Sequence, residues 1–215
     1  MQVLAAGFNA VVLRYSVNPS VFPVALLESA DAMTMIREHA AEWHVDPDAI
    51  AVIGFSAGGH LAANLATSTS DDVLVAHGYD PDAVRPNGLM LAYPVITSGP
   101  LAHRGSFDSL LGERRNDSQA LESVSIERHI DAKTPPVFAW HTVPDETVPY
   151  ENTLMLIDAC KKAGVSIEAH LFPQGGHGLS LGTAETAWQG VNGIEPSIQI
   201  WPQLAVSWMR RTFAR

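Results

Sequence analysis

The sequence predicts an α/β protein with a mostly parallel sheet covered by helices on both faces. Three observations carry that reading. Short apolar runs alternate with longer stretches of helical periodicity, the pattern of strand–helix–strand units whose crossovers make neighbouring strands parallel. The strand-like runs are apolar nearly throughout, as strands buried on both faces are. One of them, Ile50-Ala51-Val52-Ile53-Gly54-Phe55, stops at a serine among small residues and passes directly into a helix-like stretch. At 215 residues and 47% hydrophobic content, the chain suits one domain, 1–215, with a sizeable core.

Taken in order, Phe8 to Tyr15 reads as a buried strand, and Asn18-Pro19 and Pro23 break it into a loop. From about Val24 to Trp43, Leu27, Ala30, Met33, Met35 and Ile36 recur at helical spacing, with Glu28, Asp31, Arg37 and Glu38 as a polar face. Ile50–Phe55 is the next strand and Ala57–Thr67 an alanine-rich helix. Ser68–Asn87 is polar and reads as loop. Gly88–Tyr93 is a buried strand stopped by Pro94. Residues 95–134 form a long excursion with helical pieces at Ser106–Leu111 and Ser118–Ser123; its apolar content points to a cap-like insertion, not a linker. Pro136–Thr142 is a strand, Tyr150–Ala163 a helix closed by Gly164, Val165–Phe172 a strand nearer the sheet edge, and Ser197–Phe213 the last helix.

Composition narrows the function classes. The net charge is −10 and the sequence pI is near 5.2, which argues against nucleic acid or an anionic membrane as partner. No apolar run is long enough to span a bilayer, and the N-terminus lacks the pattern of a secretory signal. The single cysteine, Cys160, allows no intrachain disulfide and reads as a small buried residue on a helix. The nine histidines are scattered without ligand spacing, so no metal and no cofactor are expected.

The chemistry concentrates at Gly54-Phe55-Ser56-Ala57-Gly58, which fits G-x-S-x-G. A turn from strand to helix this tight strains the serine backbone, and side chains two before and two after would collide; glycine at both places removes the collision. The serine hydroxyl then stands above the sheet, beside the free N–H groups of the helix start. A serine needs a base, and the base an orienting carboxylate. Asp145 follows the strand ending at Thr142, and His177 follows the last strand in Gly175-Gly176-His177-Gly178. The expected roles are Ser56 as nucleophile, His177 as general base and then acid, Asp145 as the group fixing the imidazole tautomer, and the Ala57 N–H as an oxyanion donor. Glu146 is the alternative third member. His141 and His170 read as hydrogen-bonded packing residues, and His60 as a brace for the turn.

With these residues placed, the chain resembles the α/β-hydrolase esterases, particularly the acetyl-xylan-esterase-like group near the hormone-sensitive-lipase-like enzymes. The likeness runs through Val12-Leu13-Arg14-Tyr15-Ser16-Val17, Gly54 to Ala63, Leu91-Ala92-Tyr93-Pro94, Trp140-His141-Thr142, Asp145-Glu146-Thr147-Val148-Pro149 and Gly176-His177-Gly178-Leu179. It implies an α/β-hydrolase fold and hydrolysis of short-chain esters, acetyl groups on carbohydrates among them, and carries the triad onto Ser56, Asp145 and His177. Pro144 stands where that group often has a second aspartate. The larger departure is at the front. The group begins with further strands and a glycine-rich HGGG-type loop that supplies part of the oxyanion hole, and the sequence starts after that point. Loss of one such donor costs roughly 3–4 kcal/mol of transition-state stabilisation. It also leaves a gap between Phe8–Tyr15 and Ile50–Phe55. Three readings stay open: truncation of a longer enzyme, which is preferred; direct pairing of Phe8–Tyr15 with the elbow strand; or filling of the slot by another chain.

The function expected from these residues is a serine esterase acting through an acyl-enzyme on a small-molecule or carbohydrate ester. A peptidase of the prolyl-oligopeptidase type is the alternative on the same fold, disfavoured because Ala57 stands where those enzymes carry a tyrosine. An inactive hydrolase-like binding subunit is the alternative from another class. The open sheet face is compatible with a homo-oligomer. The chain as written would be cytoplasmic, with export dependent on a lost front end.

Overall fold

A computed structural model gives the fold and describes residues 2–188 and 193–214. Four strands form one parallel sheet in sequence order: β1 (Ala51–Phe55), β2 (Gly88–Ala92), β3 (Val137–Thr142) and β4 (Ile167–Phe172). The register pairs Ala51 with Gly88, Leu89 with Val137, and Val137 with Ile167. β2 and β3 are buried along their whole length. β4 lies at the edge and is only partly buried over most of its length.

The period of two in a strand sorts the core into two layers. Leu89, Leu91, Val137 and Ala139 pack against Ala62, Ala63 and Ala66 of α3 (Ala57–Ala66) and against Leu156 and Cys160 of α8 (Glu151–Ala163). Met90, Ala92, Phe138 and Trp140 meet Trp201, Ala205, Trp208 and Met209 of α9 (Trp201–Thr212). Alanines on α3 let it approach one face closely, whereas large aromatics fill the other. A third cluster seats Leu26, Ala30 and Met33 of α2 (Val24–Glu38) on Ile50 and Leu65. Gly164 ends α8 in the left-handed conformation, φ 73°, a position glycine adopts without strain. Cys160 is fully buried, and burial pushes its thiol up to about 12.

Three expectations need correction. Phe8–Tyr15 is not a strand: the segment carries no ladder, and Val11 and Val12 are 59% and 91% exposed. A strand exists through its neighbour, and among the described residues none pairs with the outer edge of β1. Ser68–Asn87 is not plain loop. It holds a 3₁₀ turn at Ser68–Ser70 and the short helices α4 (Asp71–Ala76) and α5 (Pro81–Val84). The Asp80 side chain caps α5 by accepting from the Asp82 N–H, with Pro81 in the first turn. The first long helix stops at Glu38, five residues before Trp43.

The excursion after β2 contains α6 (Arg104–Leu111) and α7 (Ser118–Ser123). Its own cluster of Val95, Phe107, Leu111, Ala120 and Val124 closes on Val148. One buried side chain ties it to α8. Asn152 Oδ1 accepts from the Ile96 and Thr97 amides at 2.9 and 3.1 Å, and its Nδ2 donates to the carbonyls of Leu101 and Pro149. Replacing Asn152 with Leu keeps the volume but leaves two buried amides without acceptors, at about 1–3 kcal/mol each. Urea unfolding of Asn152→Leu should show a loss of at least about 2 kcal/mol on that basis.

Candidate active site

All four strands are parallel, so their carboxyl ends share one edge of the sheet, where α/β proteins gather ligands. The residues that follow these ends are Ser56 after β1, Tyr93 after β2, the loop to Asp145 after β3, and the loop to His177 after β4.

Ser56 sits at φ 54°, ψ −120° between β1 and α3. This left-handed backbone is rare for a residue with a β-carbon and is stored strain. It is held by the Ser56 N–H donating to Ala92 O at 3.0 Å and by the Ser56 carbonyl accepting from Gly59 and Val95. A β-carbon on Gly54 would lie 2.1 Å from the Gly58 carbonyl oxygen, so only glycine fits there. The collision expected at Gly58 is of another kind. A β-carbon there would meet the Tyr15 hydroxyl at 3.3 Å, while the helix side of the turn is crowded at Gly59, against Pro94. The amides of Ala57 and Gly58 open α3 and belong to its first turn, whose N–H groups have no intrahelical acceptor.

The Ser56 Oγ lies 2.7 Å from His177 Nε2, and His177 Nδ1 lies 2.6 Å from Asp145 Oδ2. Asp145 Oδ1 accepts from the Thr147 and Val148 amides, each at 2.9 Å. Glu146, the alternative carboxylate, is exposed, whereas Asp145 is buried. Gly175 (φ 99°) and Gly178 (φ 77°) bend the loop around His177, and Thr142 Oγ1 pins it by donating to Gly176 O at 3.1 Å. The imidazole packs on Tyr93 with ring centroids 4.9 Å apart. Tyr93 itself accepts from the Ser180 amide, and burial pushes its phenol up to about 12, so it presents a neutral ring to the imidazole.

The other histidines divide. His60 does not brace the turn: its Nε2 donates to Val124 O at 2.8 Å, and its Nδ1 accepts from Asn64, linking α3 to the excursion. Burial lowers it to about 4, so it stays neutral. His170 pairs with Glu168 at the sheet edge. His141 is fully buried and reaches Asp145, a contact its strand position concealed. Tyr93 was also missed; its signal was its place directly after a buried strand. Among the described residues, no group of three or more histidine, cysteine or carboxylate side chains could hold a metal ion, and no helix is long and apolar enough to cross a membrane.

The parallel sheet, its two covering layers and the strand–turn–helix at Ser56 define an α/β hydrolase. The chain belongs to the BD-FAE family, whose family model matches residues 1–159. It is similar to the acetyl ester-xyloside bifunctional hydrolase of Caldicellulosiruptor lactoaceticus. That crystal structure superposes with a TM-score of 0.82 at 36% identity, over 98% of this chain and 74% of that one. It is 33% identical over 196 residues to endo-1,4-beta-xylanase B of Butyrivibrio fibrisolvens, covering 88% of this chain and 31% of the relative. It is 30% identical over 153 residues to the acetylxylan esterase of Xylanibacter ruminicola, covering 69% of this chain and 30% of the relative. The chain therefore spans less than a third of either curated relative.

Asp145 carries the strongest electrostatic signature of the site. Burial alone would raise its pKa. The hydrogen bonds from His141, His177 and the Val148 amide, with the charge of His177, outweigh burial and hold it far below the ordinary 3.8. A depressed carboxylate stabilises the fold above its unfolded value, and that contribution is lost as pH falls through the native value. Asp145→Asn should thus be less stable than wild type at neutral pH in urea titrations. The gap should narrow on acidification from about pH 5 downward.

Proposed function

We propose that this chain is a carboxylic ester hydrolase in which Ser56 is the nucleophile, His177 the general base and then acid, and Asp145 the residue that fixes the imidazole tautomer. The observation that carries this reading is the continuous row from the Ser56 hydroxyl through both ring nitrogens of His177 to the buried carboxylate of Asp145, at 2.7 and 2.6 Å. A hydroxyl in such a row loses its proton to the imidazole as it attacks an ester carbonyl. The tetrahedral oxyanion forms beside the start of α3, where the Ala57 N–H can donate to it. Collapse expels the alcohol, which takes the proton from the imidazole and leaves an acyl-serine. A water activated by the same imidazole then releases the acid and restores the serine.

The substrate proposed is a short-chain ester, above all an acetyl group on a carbohydrate. Two features support it: the names carried by the xylan-esterase relatives, and a chain with no basic surface excess to favour an anionic polymer. Residues 1–215 act as one domain, and the excursion at 95–134 serves as a cap over the reacting ester.

Hydrolysis of p-nitrophenyl acetate tests the reading. Ser56→Ala should lose nearly all of the wild-type rate, while Asp145→Asn, which permits the wrong imidazole tautomer, should lose about 10⁴-fold in kcat. Equal rates for wild type and Ser56→Ala would leave the chain a non-catalytic hydrolase-like subunit.

A further inference from the structure

Behind Asp145 the row of hydrogen bonds continues. His141 is the next-to-last residue of β3 and is fully buried. Its Nε2 lies 3.2 Å from Asp145 Oδ2 and 2.9 Å from Val148 O, and its Nδ1 lies 2.8 Å from Thr153 Oγ1 on α8. A carbonyl oxygen can only accept, so Nε2 must carry a proton, which it shares between Val148 O and the Asp145 carboxylate. Nδ1 is then the acceptor of the Thr153 hydroxyl. The tautomer is thus set by the Val148 carbonyl, and Thr153 on α8 anchors the far side of the ring.

We propose that His141 is a positioning residue, held in its Nε2–H tautomer by the Val148 carbonyl and anchored at Nδ1 by Thr153, that fixes the Asp145 carboxylate in the orientation from which it binds His177. This rests on the esterase reading above and extends it by two residues that touch no substrate. The geometry explains why a second donor is needed. Oδ1 is occupied by the Thr147 and Val148 amides, which fix one oxygen but leave the carboxylate plane to rotate about it. His141 approaches Oδ2 from the strand side and His177 from the loop side, so the oxygen that faces the imidazole is held by two donors. His141 also ties Val148 O to the same ring, linking both ends of the loop 145–148 to β3. Of the groups around Asp145, His141 contacts it from β3, His177 from the loop after β4, and Tyr93 adds a neutral phenol from the end of β2.

The test compares side chains of similar bulk with and without a donor. His141→Gln keeps an N–H, His141→Leu removes it, and Thr153→Val removes the anchor at Nδ1 while leaving His141 in place. Two readouts are taken on protein shown to be folded by circular dichroism and urea unfolding. One is kcat and KM with p-nitrophenyl acetate. The other is the low-field proton resonance of the hydrogen bond between Asp145 and His177, which needs no substrate. Misplacing a catalytic group by an ångström costs about 10²-fold. His141→Leu should therefore lose about that much in kcat with KM little changed, and its low-field resonance should broaden or vanish. His141→Gln should restore both toward wild type, and Thr153→Val should lie between. A purely structural role would make Gln and Leu equivalent and leave the resonance of folded protein unmoved, which would overturn the proposal. Should His141→Leu fail to fold, a folded His141→Met protein, which also lacks the donor, with wild-type resonance and kcat overturns it equally. If wild type proves no faster than Ser56→Ala, the esterase reading fails, and the resonance still decides the role of His141.

Discussion

The carbonyl oxygen of Gly58 lies 2.1 Å from where a β-carbon on residue 54 would sit, and the arrangement of the molecule is conditioned by that approach. It lets β1 turn into α3 within a single residue and forces Ser56 to φ 54°. The strain is offset locally by hydrogen bonds to Ala92, the last residue of the neighbouring strand, and to Val95 just after it. The elbow is thus fixed by the sheet, and the hydroxyl it carries inherits the rigidity of β1 and β2.

Parallel pairing does the rest of the assembly. Because the strands run the same way, each contributes one loop to the same edge, and residues far apart in sequence arrive there without any long connection through the core. The two layers differ in how they serve that edge. The alanine-rich layer brings α3 close and aims its first-turn amides at the serine, whereas the aromatic layer stacks Trp140 on Trp201 and sets Tyr93 edge-on to Trp140, with His177 resting on Tyr93. The imidazole therefore stands on a column of rings rooted in α9, while its hydrogen bonds root it in β3.

Much of this was legible in the amino-acid order. The strand at Ile50–Phe55, the turn at Ser56, the strands at Gly88–Tyr93 and Pro136–Thr142 and the glycine cap at 164 each have a local cause, and local causes show in sequence. The grouping of Ser56, Asp145 and His177 was readable because strand ends in a parallel sheet converge. What escaped is what depends on a partner. Phe8–Tyr15 has the composition of a strand, yet Val12 is 91% exposed because no neighbour pairs with it. The helices of 71–76 and 81–84 are too short for periodicity to register. His141 read as packing because nothing in a strand sequence reveals that the following loop folds back to place Asp145 against its ring.

Ser56 and His177 are separated by 121 positions. The four strands are laid down in the order they are synthesised, so a nascent chain can zip each onto the last through nearby contacts, whereas closing the serine–imidazole bond requires the whole sheet and the loop beyond it. The row from Ser56 to His177 is therefore completed only after the loop beyond β4 has taken its place. A ribosome-bound or partly folded intermediate could already possess the central sheet and still be chemically silent.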